Sequence, residues 1–378
     1  MLKIIISIFK SIFSIYRLYQ KKSYSIVFYY PQHFNRNSDQ NVYFKILIKT
    51  CKENDIDYLV IEEPDFNSKC KRNKKATPFD FYFIIILLLR KLYSKKYTYS
   101  EIDYKIGVLF SNLFLVRFNY DNLITISQSM ISFFRGFNNY SNIYDLQHGI
   151  IHKNKKDYFY KNSADLKLIN YNIKILLNGP SYREILLKSD KSNYFKSNTF
   201  VIGNTIPLER KHHKYFNNNV LVTLQFTRDH TVEHNRMFLD KLILFIENTE
   251  KNVIFYLKNH PRFNDEIDLS YLYKIDNVKL APKCLDKCFS LCSLHLTEYS
   301  TSVFESSLLG IPTILLSSSK NFNYFENEFK YPIDYKKIND FISVENYQIS
   351  SNIVKKWASS YYDKFNEKQF LKLFKYED

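Results

Sequence analysis

The sequence predicts an α/β protein built from two doubly wound parallel sheets, and three observations carry that expectation. Short runs rich in β-branched and aromatic residues alternate with segments of helical spacing, the pattern of parallel strands joined by crossover helices. The chain has 378 residues, too many for one hydrophobic core, so two domains are the natural division. A polar, basic stretch from Leu208 to Asn219, with Lys211, His212, His213 and three consecutive asparagines, reads as the linker between them.

In chain order, the first segment, MLKIIISIFKSIFSIYRLYQKK, is apolar apart from Lys3, Lys10, Arg17 and small polar residues. Those three cations recur every seven residues and fall near one helical face. The apolar run is too short to span a bilayer, and no small-residue cleavage site follows it. It reads as an amphipathic N-terminal helix lying in the membrane plane, where each cation near an anionic leaflet is worth about 1 kcal/mol. The alternative is an ordinary first helix packed on its own domain. Strands are expected at Ser25 to Tyr30, Tyr58 to Ile61, Lys105 to Leu109 and Leu123 to Ile126. The apolar run Phe81 to Leu89, followed by Arg90 and Lys91, is also too short to span and reads as a buried helix.

A second series of strands is expected at Lys174 to Leu177, Thr199 to Ile202, Val220 to Leu224, Val253 to Leu257, Val278 to Leu280, Leu294 to Thr297 and Pro312 to Leu316. Met237 to Ile246 and Thr301 to Leu309 have helical spacing between them. Beyond residue 335 the pattern is helical, with apolar faces at Ile353 to Tyr361 and Phe370 to Phe374. The expected division is therefore an N-terminal domain, 1–207, a C-terminal domain, 208–335, and a helical tail, 336–378, whose last helix packs back on the first domain.

Apolar residues make up 45% of the chain and aromatics 17%, so packed cores are expected throughout and disorder is excluded as a class. The net charge of +16 points to an anionic partner or surface: nucleic acid, acidic lipid or a phosphorylated substrate. An excess of Lys, Asn, Ile, Tyr and Phe also matches an A/T-rich coding region, which halves the weight of that signal. No helix-turn-helix or RNP-like pattern is present, so nucleic acid is not an expected partner. The five cysteines form an odd set without secreted-scaffold spacing, which fits a reducing compartment. Cys284, Cys288 and Cys292 would share one helical face. That is the arrangement of a buried small-apolar stripe or of a zinc site, and no fourth ligand favours zinc.

Ligands of open α/β sheets sit outside the carboxyl ends of the strands. The strand ending at Leu257 runs into Lys258-Asn259-His260-Pro261-Arg262, a histidine and cations with Pro261 fixing the backbone beside the imidazole. The strand ending at Thr297 leads into Glu298-Tyr299-Ser300-Thr301-Ser302-Val303-Phe304-Glu305. That segment offers hydroxyls and free backbone N–H groups at a helix start, an arrangement that receives phosphate. Glu305, a turn further on, could accept from ribose hydroxyls. Gln225 and Arg228, after the strand ending at Leu224, are further donor-contact candidates. Of six glycines, Gly149, Gly179, Gly203 and Gly310 lie beside strand or helix ends, while Gly107 and Gly136 have no evident place.

The HP dipeptide, then YSTSVFE, then LGIPTIL, resemble the donor-binding half of GT-B glycosyltransferases, and more narrowly bacterial sialyltransferases and Kdo transferases. The resemblance covers roughly residues 220 to 318 well and the first half weakly. It implies two Rossmann-like domains facing across a cleft, the first for the acceptor and the second for the nucleotide sugar. It also implies that His260 engages the donor phosphate and assists its departure while Ser300, Thr301 and Ser302 bind that phosphate. Those sialyltransferases carry an acidic pair followed by glycine that supplies the catalytic base. The nearest match is Tyr144-Asp145-Leu146-Gln147-His148-Gly149, with Gln147-His148 in place of the pair, and a QHG segment also resembles capsule and lipopolysaccharide transferases. His148 would then act as base, a role worth about 10²- to 10⁴-fold, with Asp145 orienting it or serving as base itself.

The resulting expectation is an inverting glycosyltransferase that needs no metal and no cofactor. It would take a nucleotide-sugar donor, CMP-sialic acid or CMP-Kdo first, and a surface polysaccharide or O-antigen acceptor, as free or lipid-linked glycan. It would work in the cytoplasm, peripheral on the inner face of the cytoplasmic membrane. A hexosyl or glycerophosphoryl transferase using UDP, GDP or CDP donors is the alternative of the same architecture. A non-catalytic scaffold in polysaccharide assembly is the alternative of another class.

Overall fold

A computed structural model describes residues 9, 11–12, 23–35, 40–65, 70–94, 96–112, 119–206, 213–227, 231–260, 263, 267–316 and 324–374. The chain divides into two compact units, Met1–Pro207 with Lys364–Asp378, and Leu208–Asp363.

The strands of the first unit are β1 (Ser23–Pro31), β2 (Tyr58–Glu63), β3 (Thr77–Pro78), β4 (Asn119–Ile126), β5 (Asn142–Leu146), β6 (Phe159–Tyr160), β7 (Ser163–Ala164), β8 (Ile173–Leu177) and β9 (Thr199–Val201). Seven of them form one sheet in the order β3-β2-β1-β4-β5-β8-β9, every pair parallel. β6 and β7 make a separate antiparallel pair. β1, SYSIVFYYP, is buried from Ile26 to Pro31, as a central parallel strand covered on both faces must be. Its helices are α1 (Lys45–Glu53), α2 (Asp80–Tyr93), α3 (Tyr99–Asn112), α4 (Ile131–Phe137), α5 (Leu166–Asn170), α6 (Pro180–Ser189) and α7 (Tyr194–Asn198). One core joins Phe28 and Tyr30 of β1 to Phe44, Leu47 and Cys51 of the α1 region.

The second unit holds β10 (Asn219–Thr223), α8 (Val232–Glu247), β11 (Ile254–Lys258), β12 (Val278–Leu280), α9 (Leu285–Leu291), β13 (Leu294–Thr297), α10 (Ser302–Leu308), β14 (Thr313–Leu315), α11 (Tyr324–Asn327) and α12 (Val344–Tyr361). Its sheet runs β12-β11-β10-β13-β14, all parallel. Thr231 caps α8 by accepting the His234 N–H, and Ser343 caps α12 by accepting the Asn346 N–H. α12 docks on α10, where Trp357 stacks on Phe304 with ring centroids 4.9 Å apart. The last helix, α13 (Glu367–Lys372), belongs to the first unit, and its Phe370 is buried in the same core as Tyr144. The stretch 336–378 is thus shared between the units, with the change at Lys364.

Two sequence expectations fail here. Lys105 to Leu109 lies inside α3, whose buried residues Ile102, Asp103, Ile106, Gly107 and Phe110 follow helical spacing. The fifth strand of this sheet is instead β5, NIYDL. Phe81 to Leu89 is helical, as α2, but only part of it is buried: Leu87 and Leu88 are exposed, as is Leu92 beyond them.

Gly107 and Gly136 acquire a place at the crossing of α3 and α4. A Cβ on Gly107 would overlap the Phe133 carbonyl oxygen, and one on Gly136 the Tyr104 carbonyl oxygen. Cys288 and Cys292 are buried in a small core with Phe289 and Ile311, whereas Cys284 is exposed.

Most of the proposed N-terminal anchor lies outside the described residues. Within it, Ser11 is buried, donates to the Pro78 carbonyl at 3.2 Å and accepts the Phe81 N–H at 3.0 Å. Phe9 and Ile12 are exposed. Among the described residues no helix is long and apolar enough to cross a membrane. Of the stretch read as a linker, Leu208 to His212 lie outside the described residues. His213 and Asn217 beyond them are tied to the second unit, His213 Nε2 to the Phe289 carbonyl at 2.9 Å and Asn217 N to Ser293 Oγ at 2.8 Å.

Candidate functional site

In the second sheet the strand order turns back at β10. β11 and β12 lie to one side of it, β13 and β14 to the other, which makes the carboxyl ends of β10 and β13 a topological switch point. Register fixes what sits there: Thr223 of β10 pairs with Lys258 of β11 and with Thr297 of β13. His260 therefore lies two residues beyond the β11 end and Ser300 three beyond the β13 end, on either side of the β10 end, where Gln225 follows.

His260 and Gln225 are half-buried. The His260 carbonyl accepts the Phe263 N–H at 2.9 Å. Beside it the Asn259 side-chain oxygen is buried with no hydrogen-bond partner among the described residues. Lys258 sends its ammonium to the Lys283 carbonyl at 2.7 Å. Arg228 and Pro261 lie outside the described residues.

Thr301 and Glu305 are exposed, while Ser300 and Ser302 are buried. Ser302 Oγ donates to Ser300 Oγ at 2.7 Å, and the Ser302 N–H reaches the same oxygen at 3.3 Å. Beneath them lies His295, fully buried on β13. Its Nε2 is 2.9 Å from Thr223 Oγ1 and 3.3 Å from Ser302 Oγ, and its Nδ1 is 3.0 Å from Thr313 Oγ1. Burial lowers the His295 pKa to about 3, so the ring is neutral and one nitrogen donates while the other accepts. Sequence reasoning missed His295 because a histidine inside a strand shows no motif.

A second pair was also missed. His234, in the first turn of α8, meets the buried Glu298 just after β13, Nε2 to Oε2 at 2.9 Å. In sequence His234 has no acidic neighbour at metal-site spacing; its partner comes from 64 residues away. Among the described residues no three metal-ligating side chains gather.

In the first unit, His148 is half-buried just beyond β5, its ring edge-on to Phe34 with centroids 5.5 Å apart. Gln147 is structural: its Oε1 accepts the Asn178 N–H at 3.0 Å and its Nε2 donates to the Gly149 carbonyl at 2.8 Å, tying the ends of β5 and β8. Asp145 does not orient His148. It lies within β5, fully buried, and its Oδ1 accepts the Gln128 N–H at 2.7 Å from the turn after β4. Burial pushes its carboxyl up to about 7.

Two all-parallel sheets, each wound outward from its first strand in both directions, decide the architecture. The chain has the GT-B fold. Solved structures similar to it include the UDP-GlcNAc 2-epimerase from Methanocaldococcus jannaschii, at 12% identity and a TM-score of 0.52 over 92% of this chain and 98% of that one. Os79 from O. sativa in complex with UDP is similar at 10% identity and a TM-score of 0.52, over 92% and 99%. The UDP-GlcNAc 2-epimerase from Neisseria meningitidis bound to UDP-GlcNAc follows at 11% identity and a TM-score of 0.50, over 92% and 98%. At such identities the likeness is one of fold. No protein family model matches the sequence, and no curated protein matches it. In open α/β sheets a switch point of this kind, outside the carboxyl ends of the strands, is where ligands are generally bound.

Proposed function

We propose that this GT-B protein is a glycosyltransferase that binds a nucleotide-activated sugar at the carboxyl edge of its second domain. The observation that carries the reading is the pair of unclaimed polar groups at neighbouring strand ends. Asn259 Oδ1 is buried without a donor. Ser300, which accepts from Ser302, has no acceptor for its own proton among the described residues. A buried polar group without a partner is rare in a folded protein, and a bound ligand is one way to satisfy it.

In this reading His260 holds and protonates the departing phosphate, with Ser300 and Thr301 donating to it and Gln225, Lys258, Glu305, Arg228 and Pro261 forming the surroundings. Ser302 works from below, passing the orientation of His295 to Ser300. His148 supplies the base. Asp145, buried beneath the Gln128 turn, supports that edge of the sheet. The reaction inverts the anomeric centre and uses neither metal nor cofactor. CMP-sialic acid or CMP-Kdo is the first-choice donor, on the HP and serine motifs. UDP donors are the second reading, favoured by similar folds in complex with UDP-GlcNAc and UDP. The acceptor is a surface glycan, free or lipid-linked. Peripheral attachment to the inner face of the cytoplasmic membrane is supported by Leu87, Leu88 and Leu92, exposed on α2 beside Lys91.

Calorimetry with CMP, CDP, UDP and GDP on the wild-type protein and His260→Ala tests this. CMP binding that weakens at least tenfold in the variant is expected. A preference for UDP or GDP would reject the CMP donor, and no nucleotide binding at all would reject the enzyme reading in favour of a scaffold.

A further inference from the structure

The first domain contains a cavity of about 490 Å³ that none of the sequence motifs touches. Its walls include Glu63 from the end of β2, Arg90 from α2, Asp103 from α3, Gln128 from the turn after β4, Ser132 from α4 and Lys167 from α5. A space of this size takes a small organic ligand, for which about 300 to 1,000 Å³ is usual.

Its charges do not all cancel. Arg90 and Asp103 form a two-pronged pair, Nε to Oδ1 at 2.7 Å and Nη2 to Oδ2 at 2.8 Å, with the guanidinium 4.5 Å from the Tyr99 ring centroid. Two groups remain. The buried Tyr29 hydroxyl donates to Glu63 Oε2, but Oε1 has no hydrogen-bond partner among the described residues. Lys167 is half-buried, and among the described residues no hydrogen bond or ion pair holds its ammonium. An unclaimed carboxylate oxygen and an unclaimed ammonium thus face one cavity. Burial pushes the Glu63 carboxyl up to about 7 and lowers the Lys167 pKa, as expected of charges that lack full solvation.

The backbone at the rim is unusual too. Ser127, Gln128 and Met130 all have positive φ, at 59°, 52° and 55°. Elsewhere the left-handed region is occupied largely by Asn and Asp, such as Asp55, Asn162, Asn172 and Asn193, which tolerate it. Ser, Gln and Met do not favour it, and strained backbone of this kind clusters at ligand sites. Asp145 Oδ1 on the Gln128 N–H, and Gln128 Nε2 on the Asp157 carbonyl, both at 2.7 Å, hold the turn in place.

We propose that this cavity binds a small hydroxylated anion, a sugar phosphate or a sugar acid, with Lys167 taking the anionic group and Glu63 Oε1 accepting from a hydroxyl. An apolar ligand would leave both charges unsatisfied. A bare inorganic anion would place its charge against Glu63 with no donor between. The proposal stands independently of nucleotide binding by the second domain.

Calorimetry of the full chain with glucose 6-phosphate, glucuronate, glucose and inorganic phosphate tests it. One of the first two binds more tightly than glucose and inorganic phosphate, and which one it is tells phosphate from carboxylate. Lys167→Met weakens that probe at least tenfold. Glu63→Gln weakens it at least threefold, because Tyr29 fixes the amide oxygen and turns N–H groups toward the cavity. In the wild-type protein, saturating probe slows amide hydrogen exchange at residues 127–132, a readout that needs neither variant to fold. Nucleotide binding, measured on the same samples, is unchanged by both substitutions, which separates this proposal from the fate of the donor site. The proposal is overturned if neither hydroxylated anion binds, if inorganic phosphate binds as tightly as they do, or if residues 127–132 gain no protection.

Discussion

Asp145→Asn isolates a buried carboxyl whose ionisation opposes folding. In the unfolded chain this group titrates near its ordinary value of 3.8; in the fold, burial raises it to about 7. A raised carboxyl pKa means that the native state binds the extra proton, so the stability it permits is fully present at low pH and is lost as pH rises through about 7. The whole displacement corresponds to about 4 kcal/mol. Between pH 5 and pH 8 the unfolded carboxylate is already ionised while the folded one passes from protonated to ionised, so about 3 kcal/mol of loss falls inside that window. Asparagine keeps an oxygen for the Gln128 N–H, which now sits at 2.7 Å from Oδ1, and removes the ionisation. Burying its unpartnered amide costs about 1–3 kcal/mol at every pH, so the informative quantity is the change in the wild-type-minus-variant difference with pH. The single tryptophan, Trp357, lies in the second unit and cannot report this event. Native-state hydrogen exchange of the β4 and β5 amides can. Glu63 titrates in the same range in both proteins and cancels. A difference that stays constant from pH 5 to pH 8 would refute the reasoning.

Two further outcomes are expected. Gly136→Ala destabilises the first unit by about 2 kcal/mol, despite the helix propensity gained, because the new methyl meets the Tyr104 backbone carbonyl rather than a side chain that could swing away; hydrogen exchange of α3 and α4 measures it, and unchanged or slower exchange would contradict the packing argument. His295→Gln flattens the acid sensitivity of the second unit: a histidine whose pKa falls from 6.5 to about 3 on folding contributes stability that is present above pH 6.5 and lost below it, at about 1.4 kcal/mol per pH unit. Trp357 fluorescence during urea unfolding at pH 4.5 and 7 reads that slope, and an equal slope in the two proteins would exclude His295 as its source.

Much of the framework was legible because parallel strands buried on both faces read as near-continuous apolar runs, as in IVFYY of β1, ILL of β8 and VLV of β10. Lys105 to Leu109 misled for the same reason. KIGVL has strand composition, yet Gly107 is there to let α4 approach. Strand order was not legible, because nothing local records that β4 pairs with β1 across an excursion through β2 and β3. In the candidate site, His260 and Ser300 to Ser302 could be found because they follow strand ends directly. His234 with Glu298 could not, since the pair exists only once α8 folds beside β13. Glu62 and Glu63 show the limit most clearly. As neighbours on a strand they point to opposite faces. Glu62 takes the Tyr30 hydroxyl, Asn35 and Arg72, and Glu63 takes the Tyr29 hydroxyl and faces the cavity. In the sequence they are only two adjacent acids before a proline.

The buried Asp145 and the cavity are parts of one arrangement. Its carboxyl holds the Gln128 amide, and through it a turn in which Ser127, Gln128 and Met130 are left-handed and Gln128, Ser129 and Met130 line the cavity. A protonated carboxyl and a carboxylate can both accept that N–H, so the hydrogen bond can form on either side of pH 7 while the stability decreases across it. An asparagine also accepts it, whereas an alanine cannot, and leaves the Gln128 N–H to find another partner. The consequence separates two roles that a single substitution would confound: Asp145→Asn alters the pH dependence of folding while leaving the geometry of the rim, and Asp145→Ala releases the rim itself. The strained turn is therefore supported by a hydrogen bond from a strand residue, and the energetic burden of burying that residue is placed on the domain as a whole rather than on the ligand.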